Sequence, residues 1–547
     1  MKPVSFFDDE NIGSVKKIWQ KSSKNNEKAG QIKTIFTNTF QKKSKKVGKT
    51  KLLQYYIDEE YLYFSKNLKS DKINGVLELN CCKLDLLQNI EPKQIDSSMS
   101  EPLWGFRIMR NGKTLEIYTK DQVQWKKWKN IFIYKSIQST FHEDFIVTKM
   151  IGKGSFAKVY LATKKENGQQ YAIKAFNKEF MLSQHKGKES LINEVGVMRN
   201  IRSEHLINLY EVYETVNSIY FVVDILSGGE LLHRVRDKGT INEGDLKLLM
   251  RNLILALQYL HQKNIMHRDL KPENLLLKSK DNDHDIVVAD LGLATFTNIK
   301  DILFKRCGTP GFVAPEVLIY QEGDSFYDVK CDIFSAGVIF YLLLIGKQPF
   351  QGKDYKQILR ANKACEIKYD TPDFTNVSPQ AKDLLIKMLI AQPENRPSAT
   401  ECLQHPFLKD NSGQGQLLQN AQLNLRSYEV DYLANVRNKK EVDSQDQIGS
   451  LALHSNGISA MNGKIDTVGS LSTCSNSNFQ NKNGETHIPQ ISKFSVKPRS
   501  DSIDVNMKNN QQNETGSNKI NLQIRIICIN QQLKYNQQRL LRRTKER

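Results

Sequence analysis

The sequence predicts an α+β chain in three parts. These are a small antiparallel β-barrel capped by a C-terminal helix, a larger domain of strands followed by helices, and a disordered polar tail. Three observations carry the prediction. Residues 30–120 hold short β-rich runs separated by turn residues, and the hydrophobic period becomes helical at 121–134. Residues 144–408 set polar clusters between apolar runs, with 35 Lys and Arg against 34 acids over 141–410. Residues 411–547 contain 49 Asn, Gln or Ser among 137, too polar to bury a core.

Composition narrows the function. A chain of 547 residues exceeds one core, and 39% hydrophobic content suits globular domains carrying some unfolded sequence. No apolar run reaches the roughly 18 residues of a membrane-spanning helix. The longest, AGVIFYLLLIG at 336–346, reads as a buried core helix. The start, MKPVSFFDDENIGS, has acids and no apolar stretch, so a signal peptide is not expected. Eight cysteines are scattered without metal-ligand spacing, and adjacent Cys81 and Cys82 are expected on opposite faces of a strand. Reduced thiols in a cytoplasmic protein are the simplest reading. The net charge of +19 sits on the flanks, +11 over 1–140 and +7 over 411–547. Such charge steers a chain toward anionic surfaces; no nucleic-acid partner is expected.

The first part begins with a polar, flexible stretch, 1–29. Strand-like runs follow: TIFTNTF (34–40), LLQYYI (52–57), YLYF (61–64), GVLEL (75–79), GFRIM (105–109) and TLEIY (114–118). Asn111-Gly112 between the last two is a strong hairpin signal. DQVQWKKWKNIFIY (121–134) then places Trp125, Trp128, Ile131 and Phe132 at helical spacings. This order resembles a pleckstrin-homology domain over 30–138, with Trp128 matching the family's helix tryptophan. The resemblance implies that the loop QKKSKKVGKTK, with Lys42, Lys43, Lys45, Lys46, Lys49 and Lys51, reaches an anionic membrane or phosphoinositide. Each lysine there could contribute on the order of 1 kcal/mol. Gln54 precedes Tyr55-Tyr56 where the family's phosphoinositide binders usually carry an arginine. That departure favours diffuse membrane attraction over a headgroup-specific site. The alternative is a solvated basic loop.

The second part carries the chemistry. DFIVTKMIGKGSFAKVYLAT (144–163) sets Gly152 and Gly154 in a β-hairpin pattern, where glycines let backbone N–H groups approach phosphates. Ala157 stands where a third glycine is usual. QQYAIKAF (169–176) is a strand carrying Lys174, which in an apolar strand needs an anionic partner. SLINEVGVMRNI (190–201) is an amphipathic helix with Glu194 at the edge of its apolar face, able to supply that carboxylate. IMHRDLKPENLLL (265–277) packs polar groups between aliphatics. There Asp269 can accept a hydroxyl proton, Lys271 can neutralise a phosphoryl group and Asn274 can ligate a metal. DIVVADLGLA (285–294) ends an apolar strand in Asp290, a second hard oxygen ligand.

In this order and spacing, with APE (314–316), CDIFSAGV (331–338) and ENRPSA, the chain resembles a eukaryotic protein kinase over 144–408. The resemblance implies the bilobal protein-kinase fold and phosphoryl transfer from Mg²⁺-bound ATP to protein Ser/Thr. It implies that Ile151, Gly152, Lys153, Gly154, Ser155, Phe156, Ala157, Lys158 and Val159 cover ATP. Ala172, Asp224 and Leu226 would line the nucleotide site. Lys174 would contact its phosphates with Glu194 holding Lys174. Asp269 would be the base, Lys271 the phosphoryl-side cation, and Asn274 and Asp290 the magnesium ligands. Arg396 is expected to pair with Glu316. Glu230 and Glu273 match acidic positions that contact basic substrate residues, implying Arg or Lys upstream of the target, and Thr309 in GTPG, expected with them on the substrate-binding side, fits the Ser/Thr class. The alternative is a catalytically weak membrane adaptor.

CGTPGFVAPE, SGGELLHRV and ECLQHPFL resemble the calcium/calmodulin-dependent kinase group. In that group many members carry a phosphorylatable Thr two residues before the cysteine; here Lys305 stands there. Arg268 therefore needs another partner. Asp301 is a candidate, with Thr295 or Thr297 as alternative modification sites, although a segment that orders without phosphate is favoured. In the tail (409–547), residues 416–440 could form a regulatory helix, whose weakly basic character argues for plain packing over calmodulin binding. The terminal RLLRRTKER is basic, and Arg499 three before Ser502 marks an autophosphorylation candidate.

Overall fold

Strands β1 (Phe36–Lys43), β2 (Thr50–Ile57), β3 (Tyr61–Ser65), β4 (Gly75–Glu78), β5 (Lys83–Ile90), β6 (Leu103–Arg110) and β7 (Lys113–Thr119) precede helix α1 (Gln122–Lys135). The computed structural model describes residues 5–8, 18–19, 36–43, 49–58, 61–66, 72–96, 100–238, 242–299, 302–409, 417–418, 421 and 424–425. The strands run antiparallel in the order β4-β3-β2-β1-β7-β6-β5. Asn111 and Gly112, with φ of 50° and 68°, make the two-residue turn that pairs Arg110 with Lys113. The Asp121 carboxylate accepts from the Val123 and Gln124 amides and so starts α1. That helix buries Trp125, Trp128 and Phe132 in one core with Phe40, Tyr55 and Phe106. A Cβ on Gly105 would lie 2.6 Å from the Ile117 carbonyl oxygen, so only glycine fits where β6 and β7 approach.

Strand β5 is not among the expected runs, and it carries no alternation to signal it, because only Leu84 along it is buried. Two expectations fail here. Cys81 and Cys82 lie in the turn between β4 and β5 rather than on a strand, and both are buried. Residues 5–8, expected to be flexible with the rest of 1–29, are buried: Phe6 is 5% and Phe7 2% exposed. Trp19 likewise packs, its ring centroid 4.5 Å from that of Phe64. Lys42, Lys43, Lys49 and Lys51 flank the β1–β2 loop, while Lys45 and Lys46 fall outside the described residues.

After α1 come β8 (Ile137–Gln138), α2 (Phe141–Asp144), β9 (Phe145–Lys153), β10 (Ala157–Lys164) and β11 (Gln170–Asn177). Helices α3 (Lys178–Ser183) and α4 (Gly187–Arg199) follow, then β12 (Leu209–Glu214) and β13 (Ser218–Val223). β8 pairs parallel with both β5 and β12, joining the amino-terminal strands to the small lobe in one 13-stranded sheet. A two-residue strand shows no period in sequence, so this junction was not foreseen.

The large lobe comprises β14 (Gly229–Glu230), α5 (Leu231–Lys238), α6 (Glu243–Gln262), β15 (Ile265–Met266), β16 (Leu275–Leu277), β17 (Ile286–Val288) and β18 (Thr295–Phe296). It continues through α7 (Pro315–Ile319), α8 (Lys330–Ile345), α9 (Tyr355–Ala364), α10 (Pro379–Met388), α11 (Ala399–Gln404) and α12 (Pro406–Lys409). Helix α8 is apolar nearly all round and is buried along its length, ending at Gly346 with φ 80°. Among the described residues no helix is long and apolar enough to cross a membrane. Most of the helix expected at 416–440 lies outside the described residues. Leu418, Ala421 and Leu425 are buried, and Asn424 donates to the Ile345 carbonyl at 2.8 Å.

Candidate active site

Strand β11 lies between β10 and β13, which puts Lys174 beside Val159 and Phe221. Its Nζ is 2.8 Å from Glu194 Oε1 and 3.1 Å from Asp290 Oδ1. Glu194 is deeper than the edge position expected, only 5% exposed on α4. Burial opposes the Lys174 charge, but Asp290 and Glu194 outweigh it and hold its pKa above the ordinary lysine value. Lys174 in turn pulls the half-exposed Asp290 down to about 2. Both groups are therefore ionised at neutral pH.

The Gly-rich turn closes with the Gly154 N–H donating to the Ala157 carbonyl at 2.8 Å. A Cβ on Gly152 or Gly154 would meet only ordinary protein contacts. Nothing in the chain itself demands glycine at either position, which fits a backbone reserved for close approach by a ligand.

Asp332, on the first turn of α8, fixes the loop that carries Asp269. It is fully buried and accepts from the His267 and Arg268 backbone N–H groups, each at 2.8 Å, and contacts His261 Nε2 at 3.1 Å. Burial would raise its pKa, but these donors hold it below the usual carboxylate value. Arg268 takes φ 67°, a left-handed conformation that a bulky side chain adopts only under constraint. Asp269 Oδ2 receives Lys271 Nζ at 2.8 Å, and Asp269 Oδ1 accepts from the Thr309 hydroxyl at 2.6 Å. Lys271 also donates to Thr309 Oγ1 at 3.1 Å. The Asn274 amide nitrogen donates to the Asp269 carbonyl at 2.8 Å, which leaves the amide oxygen as the atom available to a ligand.

Arg268 contacts described residues of the segment that contains DILFKRCGTPG. The Arg268 guanidinium donates to the carbonyls of Leu293, Phe304 and Leu303 at 2.8, 2.8 and 3.1 Å, and to the Tyr327 hydroxyl at 3.3 Å. Asp301 lies outside the described residues. Lys305 pairs with Glu322 at 2.8 Å, and Thr295 is buried in β18, a poor site for modification. Gly308 has φ 115°, and a Cβ there would stand 2.8 Å from the Arg268 carbonyl oxygen.

The remaining expected residues sit around this centre. Ala157 and Ala172 are buried near the roof, with Ala172 opposite Val223. The Asp224 carboxylate accepts from the Asn208 backbone N–H (2.8 Å) and the Tyr210 hydroxyl (2.6 Å), so the side chain is engaged within the protein. Glu230, on β14, and Glu273 lie on elements that pack together. Arg396 donates to both Glu316 oxygens at 2.7 and 3.1 Å, as expected. Asp332 and the bond between Thr309 and Asp269 were missed. The available signal was an aspartate inside an otherwise apolar helix, which must have partners.

The strands and helices thus bring Lys174 together with Glu194 and Asp290, and set Asp269 and Lys271 on one fixed loop, an arrangement suited to a phosphotransferase. The protein kinase domain family matches residues 145–408. Myosin light chain kinase A of Dictyostelium discoideum is 38% identical over 264 residues, 48% of this chain and 87% of that protein. Calcium/calmodulin-dependent protein kinase type 1 of Caenorhabditis elegans is 36% identical over 276 residues, covering 50% and 77%. Calcium/calmodulin-dependent protein kinase type I of Schizosaccharomyces pombe is 37% identical over 268 residues, covering 48% and 78%. The chain belongs to the protein kinase family; it is a protein serine/threonine kinase whose catalytic domain is of the calcium/calmodulin-dependent kinase type.

Proposed function

We propose that the chain transfers the ATP γ-phosphoryl group to Ser or Thr flanked upstream by Arg or Lys, with Asp269 as base. The carrying observation is the closed contact among Asp269, Lys271 and Thr309, which fixes a carboxylate and a cation 2.8 Å apart on one rigid loop. The Gly152 to Val159 turn covers the nucleotide, with Ala172 and the Asp224 and Leu226 backbone beside the base. Lys174 orients the phosphates, and Glu194 keeps Lys174 in place. Asn274 and Asp290 would hold magnesium through two hard oxygens alongside substrate phosphates, and the ion would supply charge neutralisation for the transferred group. Asp269 orients the attacking hydroxyl and accepts its proton, while Lys271 offsets the charge that develops.

The amino-terminal strands and α1 are read as a pleckstrin-homology-like module. Lys42, Lys43, Lys49 and Lys51 around the β1–β2 loop favour attraction to anionic lipid. Gln54 donates to Thr37 Oγ1 at 2.6 Å, which fits a neutral strand position rather than a headgroup ligand. Glu230 and Glu273 supply the acidic face for basic substrates. The test is phosphate transfer by the full chain to an Arg-x-x-Ser peptide, with and without vesicles containing phosphatidylserine. Glu230→Gln should raise the peptide KM several-fold and leave kcat unchanged. Equal rates on a peptide lacking the arginine would refute the preference, and a rate unmoved by vesicles would refute recruitment.

A further inference from the structure

Helix α4 carries Glu194 into the site, and it is gripped at both ends by residues outside the kinase domain. At its first turn, Lys188 Nζ donates to the Asp8 carbonyl at 2.7 Å. Asp8 also ties to the amino-terminal sheet, its Oδ1 accepting from the Asn111 N–H at 2.6 Å. Phe6 and Phe7 join the core cluster that contains Leu191, Val195 and Met198 of α4. Ser5 Oγ and the Phe6 N–H donate to the two oxygens of Glu214 on β12, at 2.6 and 2.8 Å. Glu214 is 1% exposed and also faces Lys178 at 2.6 Å and Lys83 at 3.2 Å. Residues 5–8 thus span β12, α4 and the β6–β7 turn.

At the last turn, Arg199 donates to the Asn80 carbonyl at 2.7 Å and to the Ser136 carbonyl at 2.6 Å. The Tyr134 hydroxyl donates to the Arg199 carbonyl at 2.9 Å, satisfying one of the orphan acceptors of the helix end. A cation in this position complements the helix dipole. It is nevertheless buried among neutral oxygens, so its site exists only while the amino-terminal module is docked. The direct hydrogen bonds from α4 to the large lobe are fewer: Asn193 to the Ala294 carbonyl at 2.7 Å, and Ser190 to the Gly292 carbonyl at 3.5 Å.

We propose that residues 5–8, together with Asn80 and Ser136 at Arg199, are positioning elements for the ion pair of Lys174 with Glu194. The amino-terminal module then acts as a built-in activating clamp on α4. This rests on the kinase reading above, and it places a control point on α4 rather than in the segment that carries Lys305. Undocking residues 5–8 frees the first turn of α4, and Glu194 leaves Lys174.

The test uses the full chain, as wild type, as the double variant Phe6→Ala, Phe7→Ala, and as Ser5→Asp. Ser5→Asp sets a second carboxylate against Glu214 without opening a cavity, and so keeps the question open to test if the double variant unfolds. Backbone hydrogen exchange over 191–199 is read beside phosphate transfer. Both variants should exchange faster there by an ordinary coupling factor, roughly 5- to 150-fold. The rate over α8 should stay unchanged, and kcat should fall by a similar factor without a change in peptide KM. A synthetic peptide of residues 1–12 should restore both readouts in the double variant. Wild-type exchange over 191–199 in Ser5→Asp, or acceleration extending equally into α8, overturns the proposal. A wild type that exchanges as described yet transfers no phosphate would instead count against the kinase reading.

Discussion

Asp332→Asn isolates what holds the catalytic loop. In the structure one carboxylate oxygen accepts from the Arg268 N–H, and the other from the His267 N–H with His261 beside it. An asparagine has one acceptor oxygen and one NH₂ group. Whichever way it turns, a buried backbone N–H faces a donor. The loss is one charge-assisted hydrogen bond, about 1.5–3 kcal/mol, plus a buried unsatisfied donor at about 1–3 kcal/mol. Arg268, at φ 67°, stores about 1–3 kcal/mol of backbone strain, and it persists only while these bonds over-determine it. The two terms together exceed what the strained loop can absorb, so the loop should relax and carry Asp269 out of register. We expect kcat to fall about 10²-fold, as for a misplacement of about 1 Å. ATP affinity should stay within a few-fold, because Lys174 and Asp290 are held by other elements. Stopped-time phosphate transfer and nucleotide titration on the same preparation measure both. A variant with wild-type kcat would refute the argument that Asp332 positions the loop.

Three further outcomes follow from the same geometry. Arg396 is buried and donates to Glu316 and to the carbonyls of Ile390, Lys330 and Ala391, so Arg396→Lys should cost about 3–5 kcal/mol, read as a lower denaturant midpoint. Trp128→Ala removes the ring packed 5.0 Å from Phe40 and should destabilise the amino-terminal module by about 3–5 kcal/mol, measured by local hydrogen exchange. The folded pKa of Asp290, near 2, lies below the unfolded value of about 3.9. Its pairing with Lys174 thus contributes stability above the unfolded value and loses it as pH falls toward 2. The difference in unfolding midpoint between wild type and Asp290→Asn should be flat from pH 5 to 8 and shrink below pH 4.

The site was legible because its residues lie in short local motifs whose spacing survives folding. HRDLKPEN holds Asp269, Lys271 and Asn274 within one loop, and the structure keeps them there. Lys174 in an apolar strand demanded a carboxylate, and Glu194 met it. What stayed hidden depends on long-range contact with no periodic signature. The pair β8 is too short to alternate. Ser5, Phe6, Phe7 and Asp8 sit in a polar stretch, and their partners, Glu214 on β12 and Lys188 on α4, lie 180 to 209 positions away. Thr309 was assigned to the peptide side from its motif, yet its hydroxyl reaches Asp269 across 40 positions of chain. With Lys305 at the expected threonine position, Arg268 was expected to need another partner; it donates to the Leu293, Leu303 and Phe304 carbonyls and to the Tyr327 hydroxyl, contacts 25 to 59 positions away that leave no local signature.

Asp269 is proposed as the base that accepts the attacking hydroxyl's proton during phosphoryl transfer from ATP. The direct measurement compares wild type and Asp269→Asn for transfer of labelled γ-phosphate to an Arg-x-x-Ser peptide, with ATP affinity titrated in parallel. The account predicts that the variant binds ATP within a few-fold of wild type and loses at least about 10²-fold in transfer, the low end of the range for removing a positioned base. Undiminished transfer by the variant would contradict it.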